Sequence, residues 1–169
     1  MSTTSGTLEE VATDFNPGPS PVPFSTTLLV RDKCLCLHIQ RAARLLARRF
    51  DTALKPVGLT NGQFSLLMSL NRPNLPGIPK ATVGSVSELL GMDRTTLTAA
   101  ARVLFGRGLL VLESEAGDRR SKVLRLTPEG RRVLAAAVPI WTREHELVEA
   151  QLGEGGAERL RRDLKTASK

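Results

Sequence analysis

The run 82–107 constrains this chain most: two short apolar-striped segments separated only by Gly91, Met92 and Asp93. Val83, Val86, Leu89 and Leu90 recur at three- and four-residue steps behind Thr82, and Leu97, Ala101 and Leu104 do so behind Asp93. That spacing belongs to helices with one buried face. Thr and Asp ahead of such stripes act as N-caps, because their side-chain oxygens accept from first-turn amides that have no partner in the helix. Gly91 permits the sharp turn between them. The expectation is a helix-turn-helix with helices over about 82–90 and 94–107.

With Leu97, Ala101 and Leu104 facing inward, Arg94, Thr95, Thr98 and Arg102 face out. Short hydroxyl side chains and arginines at the N-terminal end of a helix suit the major groove of DNA, where they reach base edges and phosphates. The helix dipole favours a phosphate at the same end. The alternative from these residues alone is a capped, solvated surface helix.

A hairpin pattern follows. Leucine- and valine-rich runs at 109–112 and 123–126 flank a polar tip, 113–122, that contains Gly117. Asp118-Arg119-Arg120-Ser121-Lys122 places three cations on that tip. A narrow minor groove attracts arginine, and Asp118 can orient one of the arginines by a charge-assisted hydrogen bond.

The rest of the chain frames this unit. Residues 1–27, with Pro17, Pro19, Pro21 and Pro23 among small residues, read as a disordered arm. From 28 to 54 an apolar stripe (Leu35, Ile39, Ala42, Leu46, Phe50) predicts one helix of about 40 Å, longer than a small core can cover. Pro56 and Gly58 stop it. Thr60 and Gln63 form a capping-box pattern opening a helix over 61–70, and the Pro- and Gly-rich stretch 71–81 reads as a loop. Thr127-Pro128 starts a long helix to about 151, with Pro139 as an expected kink. The glycines at 153, 155 and 156 end it before a last helix over 157–165. The fold class is therefore α+β, mainly helical: a winged helix-turn-helix with long N- and C-terminal helices. Residues 28–169 form one domain, in which 28–58 and 127–169 are the dimerisation helices and 59–126 the winged-helix lobe.

Charge fits a polyanionic partner, the alternative being a solubility charge on an ordinary protein. The 169-residue chain carries +7 at pH 7, yet residues 1–30 hold Glu9, Glu10 and Asp14 and no Lys or Arg. All 24 basic side chains and 14 acidic ones lie beyond them, so that remainder carries +10. Neutralised phosphates release condensed counterions, which favours binding by so basic a region. No apolar run approaches 18 residues and no secretory pattern opens the chain, so a cytoplasmic location and no membrane partner are expected. Two histidines, His38 and His145, without a nucleophile-and-acid set, and the lack of a phosphate-cradling Gly loop, argue against an enzyme. No cofactor is implied.

The strings TVGSVSELLGMDRTTLT, GRGLL, GDRRSKVLRLTPEG and LKPVGLTNGQFSLL resemble the MarR family of bacterial winged-helix regulators, over about 28–165. The resemblance implies a homodimer that binds double-stranded operator DNA, usually as a repressor released by a small ligand or an oxidant. It places Arg94, Thr95, Thr96 and Thr98 on the recognition helix, and Arg119 and Arg120 on the wing with Asp118 as acidic partner. Ala99 stands where many members carry a basic or polar residue.

Cys36 falls where the organic-hydroperoxide-sensing branch (the OhrR type) places its reactive cysteine. That branch supports the cysteine by tyrosines, and this chain has none; Gln40, Phe50 and Asn61 stand at the matching positions. A reactive cysteine needs its thiolate stabilised, here by Gln40, Asn61 or an arginine. Cys34 and Cys36 sit about 200° apart on a continuous helix, so a disulfide is expected to cross between subunits rather than join them. Cys34 and His38, at i and i+4, share a face, but no further metal ligand accompanies them. Small apolar packing residues are the alternative for both cysteines. His38, Phe64, Met68 and Trp141 are candidates for an effector pocket, or plain core. The rival functions are a winged helix that binds protein and a nonspecific architectural DNA binder.

Overall fold

The computed structural model of the protein describes residues 21–73, 78–115 and 118–168, with side chains for all of these except 115 and 118–121. The chain divides into two compact units, residues 1–42 and 43–169.

The first unit holds α1 (Phe24–Lys33) and the opening turns of α2 (Leu35–Leu54). Two expectations are corrected here. The helix begins at Phe24, inside the segment read as a disordered arm, and the single helix expected from residue 28 is broken at Cys34, which adopts an extended conformation (φ −74°, ψ 104°). Neither Gly nor Pro marks the break. Local groups support it instead: the Cys34 sulfur accepts the Leu37 amide at 3.5 Å as a weak N-cap of α2. The Asp32 carbonyl accepts from the His38 ring nitrogen Nε2 at 3.2 Å.

The second unit begins within α2, whose Phe50 and Leu54 are buried. A 3-10 turn (Lys55–Val57) ends at Gly58, and α3 (Asn61–Ser69) starts from the expected capping box. The Gln63 amide donates to Thr60 Oγ1 at 3.2 Å and the Thr60 amide to Gln63 Oε1 at 3.1 Å. The Asp51 carboxylate takes a third first-turn amide, that of Asn61, at 2.6 Å. Then come α4 (Val83–Leu90), α5 (Arg94–Gly106), an antiparallel pair β1 (Leu110–Glu115) and β2 (Asp118–Leu126), and α6 (Pro128–Ala150) and α7 (Gly156–Ala167).

Leu54, Leu66, Leu67, Val86, Leu97, Leu104 and Leu124 are the largest fully buried side chains, so α2 to α5 and the base of the hairpin share one core. The register Leu110↔Leu126, Leu112↔Leu124 carries the strands past the leucine-rich flanks: Glu113, Ser114 and Glu115, expected in the polar tip, pair with Val123, Lys122 and Asp118, with a register irregularity between Ser114 and Glu115. The segment before α4 docks on this ribbon through a Thr82↔Val123 bridge and a Leu124 amide to Ala81 carbonyl bond of 2.8 Å. Thr127 caps α6 with Pro128 at its first turn, and α6 continues through Pro139 without interruption. This is the helical winged-helix architecture expected, with a small two-stranded sheet.

Candidate nucleic-acid interface

The turn between α4 and α5 is built as the sequence implied. Gly91 lies in the left-handed region (φ +61°), and the Met92 amide closes onto the Ser87 carbonyl at 2.9 Å. Asp93 caps α5 twice over: Oδ1 accepts the Thr96 amide at 2.8 Å and Oδ2 accepts the Thr96 hydroxyl at 2.6 Å. These bonds to the ionised form, the Thr96 hydroxyl first, hold the Asp93 carboxyl below its ordinary value.

Leu97, Ala101 and Leu104 are buried on the inner side of α5. Arg94, Thr95, Thr98, Ala99 and Arg102 are all exposed and line one shallow depression on its outer side. The face has a definite chemistry. The Arg94 guanidinium lies over Gly84 of α4, where a β-carbon would meet it at 3.5 Å. The Thr98 hydroxyl donates back to the Arg94 carbonyl at 2.7 Å, which leaves its methyl and its oxygen lone pairs for an outside partner. Thr96 spends its hydroxyl proton on the cap. Arg94, Thr95 and Arg102 are therefore the outward donors, and no carboxylate occurs from 94 to 107.

The ribbon follows directly. Lys122 is exposed on β2, opposite Ser114, and Arg125 pairs with Glu113 at 2.6 Å nearer the base. The backbones of Asp118, Arg119, Arg120 and Ser121 belong to β2; their side chains, and Gly117, lie outside the described residues.

The solved transcriptional regulator MosR of M. tuberculosis, in complex with DNA, is 35% identical, and the match covers 80% of this chain and 93% of MosR at a TM-score of 0.67. The chain belongs to the MarR-type transcriptional regulators. Another such regulator, the transcriptional repressor CouR bound to a 23-mer DNA duplex, is 30% identical over 83% of this chain and 96% of CouR, with a TM-score of 0.71. CouR has also been solved bound to p-coumaroyl-CoA. Among curated proteins, the transcriptional regulator HosA of Escherichia coli is 33% identical over 82 residues, 48% of this chain. The match spans 57% of HosA's length, little more than half of that relative. No family model matches the chain. These MarR-type relatives are transcription regulators, not enzymes.

The remaining candidate residues are divided between the two units. In the first unit, Cys36 is exposed and its sulfur accepts the Gln40 side-chain amide at 3.2 Å. Because Cys34 caps α2 from outside it, the 200° separation of two cysteines on a continuous helix does not apply. Among the described residues no group of three metal-ligating side chains occurs, and no helix is long and apolar enough to cross a membrane. In the second unit, Phe64 stacks on Trp141 (5.8 Å between ring centres), and Trp141 meets His145 at 4.7 Å. Phe64 is buried, Trp141 and His145 are half-buried, and Met68 is exposed. His38 belongs to the first unit. Two residues escaped the sequence reading: Asp51, whose capping role depends on a segment ten residues away, and Gly130, which packs against the Leu109 carbonyl.

Proposed function

We propose that this MarR-type regulator is a homodimer that binds double-stranded operator DNA sequence-specifically and acts as a repressor released by a small ligand or by thiol oxidation. The observation that carries the DNA reading is the outer face of α5, where Arg94, Thr95 and Arg102 are presented together without a competing carboxylate. Arg119, Arg120, Ser121 and Lys122 extend the contact along the ribbon, with Asp118 orienting an arginine. MosR and CouR, each at least 30% identical, were solved on DNA, which supports the same reading.

Homodimerisation is supported by apolar side chains left in solvent. In the first unit Phe24, Leu29, Val30 and Leu35 are each more than half exposed. In the second, Leu147, Leu160 and Leu164 stand out from α6 and α7 at 40–48% exposure. Surfaces of this kind mark protein interfaces. CouR's p-coumaroyl-CoA is a precedent for a small-molecule effector. The exposed Cys36 sulfur, which accepts the Gln40 side-chain amide, is the group an oxidant would reach.

Fluorescence anisotropy tests the central reading, using DNA from upstream of the protein's own gene against scrambled DNA at several salt concentrations. Tighter binding to the upstream DNA is expected. Equal binding to both would mean an architectural binder, and no binding to either a protein-binding winged helix. Repeating the titration with an organic hydroperoxide, then with Cys36→Ser, separates the effectors: an affinity that falls with oxidant only when Cys36 is present assigns the thiol.

A further inference from the structure

The α5 face is not uniformly polar, and its apolar part has a geometry of its own. Thr98 and Ala99 are adjacent, exposed and one turn in from the helix start, between Arg94 on one side and Arg102 on the other. Thr98 Oγ1 is turned back to the Arg94 carbonyl at 2.7 Å. With its proton committed there, Thr98 has no hydrogen to donate to a base edge. Ala99 has no polar side-chain atom at all. The centre of the proposed reading surface is thus two methyl groups flanked by two guanidinium-bearing side chains.

Only one base offers a methyl group to the major groove. The 5-methyl of thymine packs against Ala or a Thr methyl, whereas guanine N7 and O6 take the fork of an arginine. We infer that Thr98 and Ala99 select thymine through its 5-methyl group, at a half-site position lying between the bases or phosphates held by Arg94 and Arg102. This rests on the DNA-binding reading above and deepens it. A chain that relied on Thr98 as a hydrogen-bond donor would instead have to break the bond to Arg94 on binding.

The experiment uses the full chain and a duplex selected by it from a random-sequence library. The selected duplex is copied with deoxyuridine in place of thymidine, which deletes each 5-methyl and leaves the base-pairing edge intact. Burying one methyl is worth about fourfold in affinity, so uracil DNA is expected to bind roughly fourfold more weakly, and about fifteenfold if both half-sites of a symmetric site carry the contact. Thr98→Ser keeps the hydroxyl and its bond to Arg94 while deleting the methyl, and should lower the thymine-over-uracil ratio about twofold or more. Thr98→Val keeps a methyl and deletes the hydroxyl, and should hold that ratio whatever it does to overall affinity. Circular dichroism of each variant checks that the helical fold is retained. Sequence-specific binding with no loss on uracil DNA overturns the inference while leaving the DNA reading standing. So does a full ratio persisting in both Thr98→Ser and Ala99→Gly. Failure to select any duplex overturns both.

Discussion

A β-carbon on Gly130 would fall inside the van der Waals envelope of the Leu109 carbonyl oxygen, a backbone atom that cannot swing aside. That carbonyl also accepts the Thr127 amide at 3.1 Å. Gly130→Ala must therefore separate α6 from the base of the hairpin, at an expected cost of about 3 kcal/mol in denaturant unfolding. Gly91 is demanding for a different reason. A β-carbon there would meet nothing within 4 Å, but the backbone sits at φ +61°. Gly91→Ala should cost about 1–2 kcal/mol, from left-handed backbone strain alone. Arg119 is a third residue-level case: its place on β2 puts it on the proposed DNA-facing ribbon. Arg119→Ala should weaken binding about equally across DNA sequences and reduce the slope of log affinity against log salt by about one per wing, measured by anisotropy.

At the scale of elements, the helix starts that carry a capping side chain were legible and the break within 28–54 was not. Thr60, Thr82, Asp93 and Thr127 all cap where the spacing put them, because a cap is a contact within four residues. The break at Cys34 escaped notice since it depends on a sulfur acceptor and on a histidine reaching the Asp32 carbonyl, neither of which is a usual stop signal. The strand extension beyond the leucine-rich flanks was hidden because Glu113, Ser114 and Lys122 are polar and exposed, so no apolar alternation marks it. Of the candidate DNA-facing residues, the outward set on α5 followed from helical periodicity. The silence of the Thr96 and Thr98 hydroxyls did not, as it depends on rotamers. The junction of α6 and α7 is held by ions: Glu149 pairs with Arg161, which also reaches Glu158 at 2.8 Å. The Arg161 bond holds the Glu149 carboxyl below its ordinary value. A depressed carboxyl contributes in full above its unfolded value and loses that contribution as pH falls through the folded one. Unfolding measured across the acid range should show this component in the native chain and lack it in Glu149→Gln, with solvent exposure keeping it small.

For the whole molecule, the exposed leucines of α7 carry the oligomer prediction. Leu160 and Leu164, at i and i+4, form one apolar strip with 42% and 40% of their surface in solvent. Leu160→Glu combined with Leu164→Glu is expected to shift the chain from dimer to monomer in sedimentation equilibrium, and to weaken DNA binding by removing the second half-site contact. An unchanged molar mass would place the interface elsewhere.

Only Thr127 separates the last residue of β2 from the first of α6, and it is pinned on both sides: its amide to Leu109 and its hydroxyl to the Gly108 carbonyl at 2.7 Å. Gly130 sits against the same Leu109 carbonyl, just before β1. The base of the ribbon is therefore joined directly to the long helix behind it. Its longer strand has nine residues, about 30 Å at strand rise, so a swing of about 5° in α6 displaces the far end by about 2.5 Å. That is close to a hydrogen-bond length, and enough to lift a side chain out of a groove.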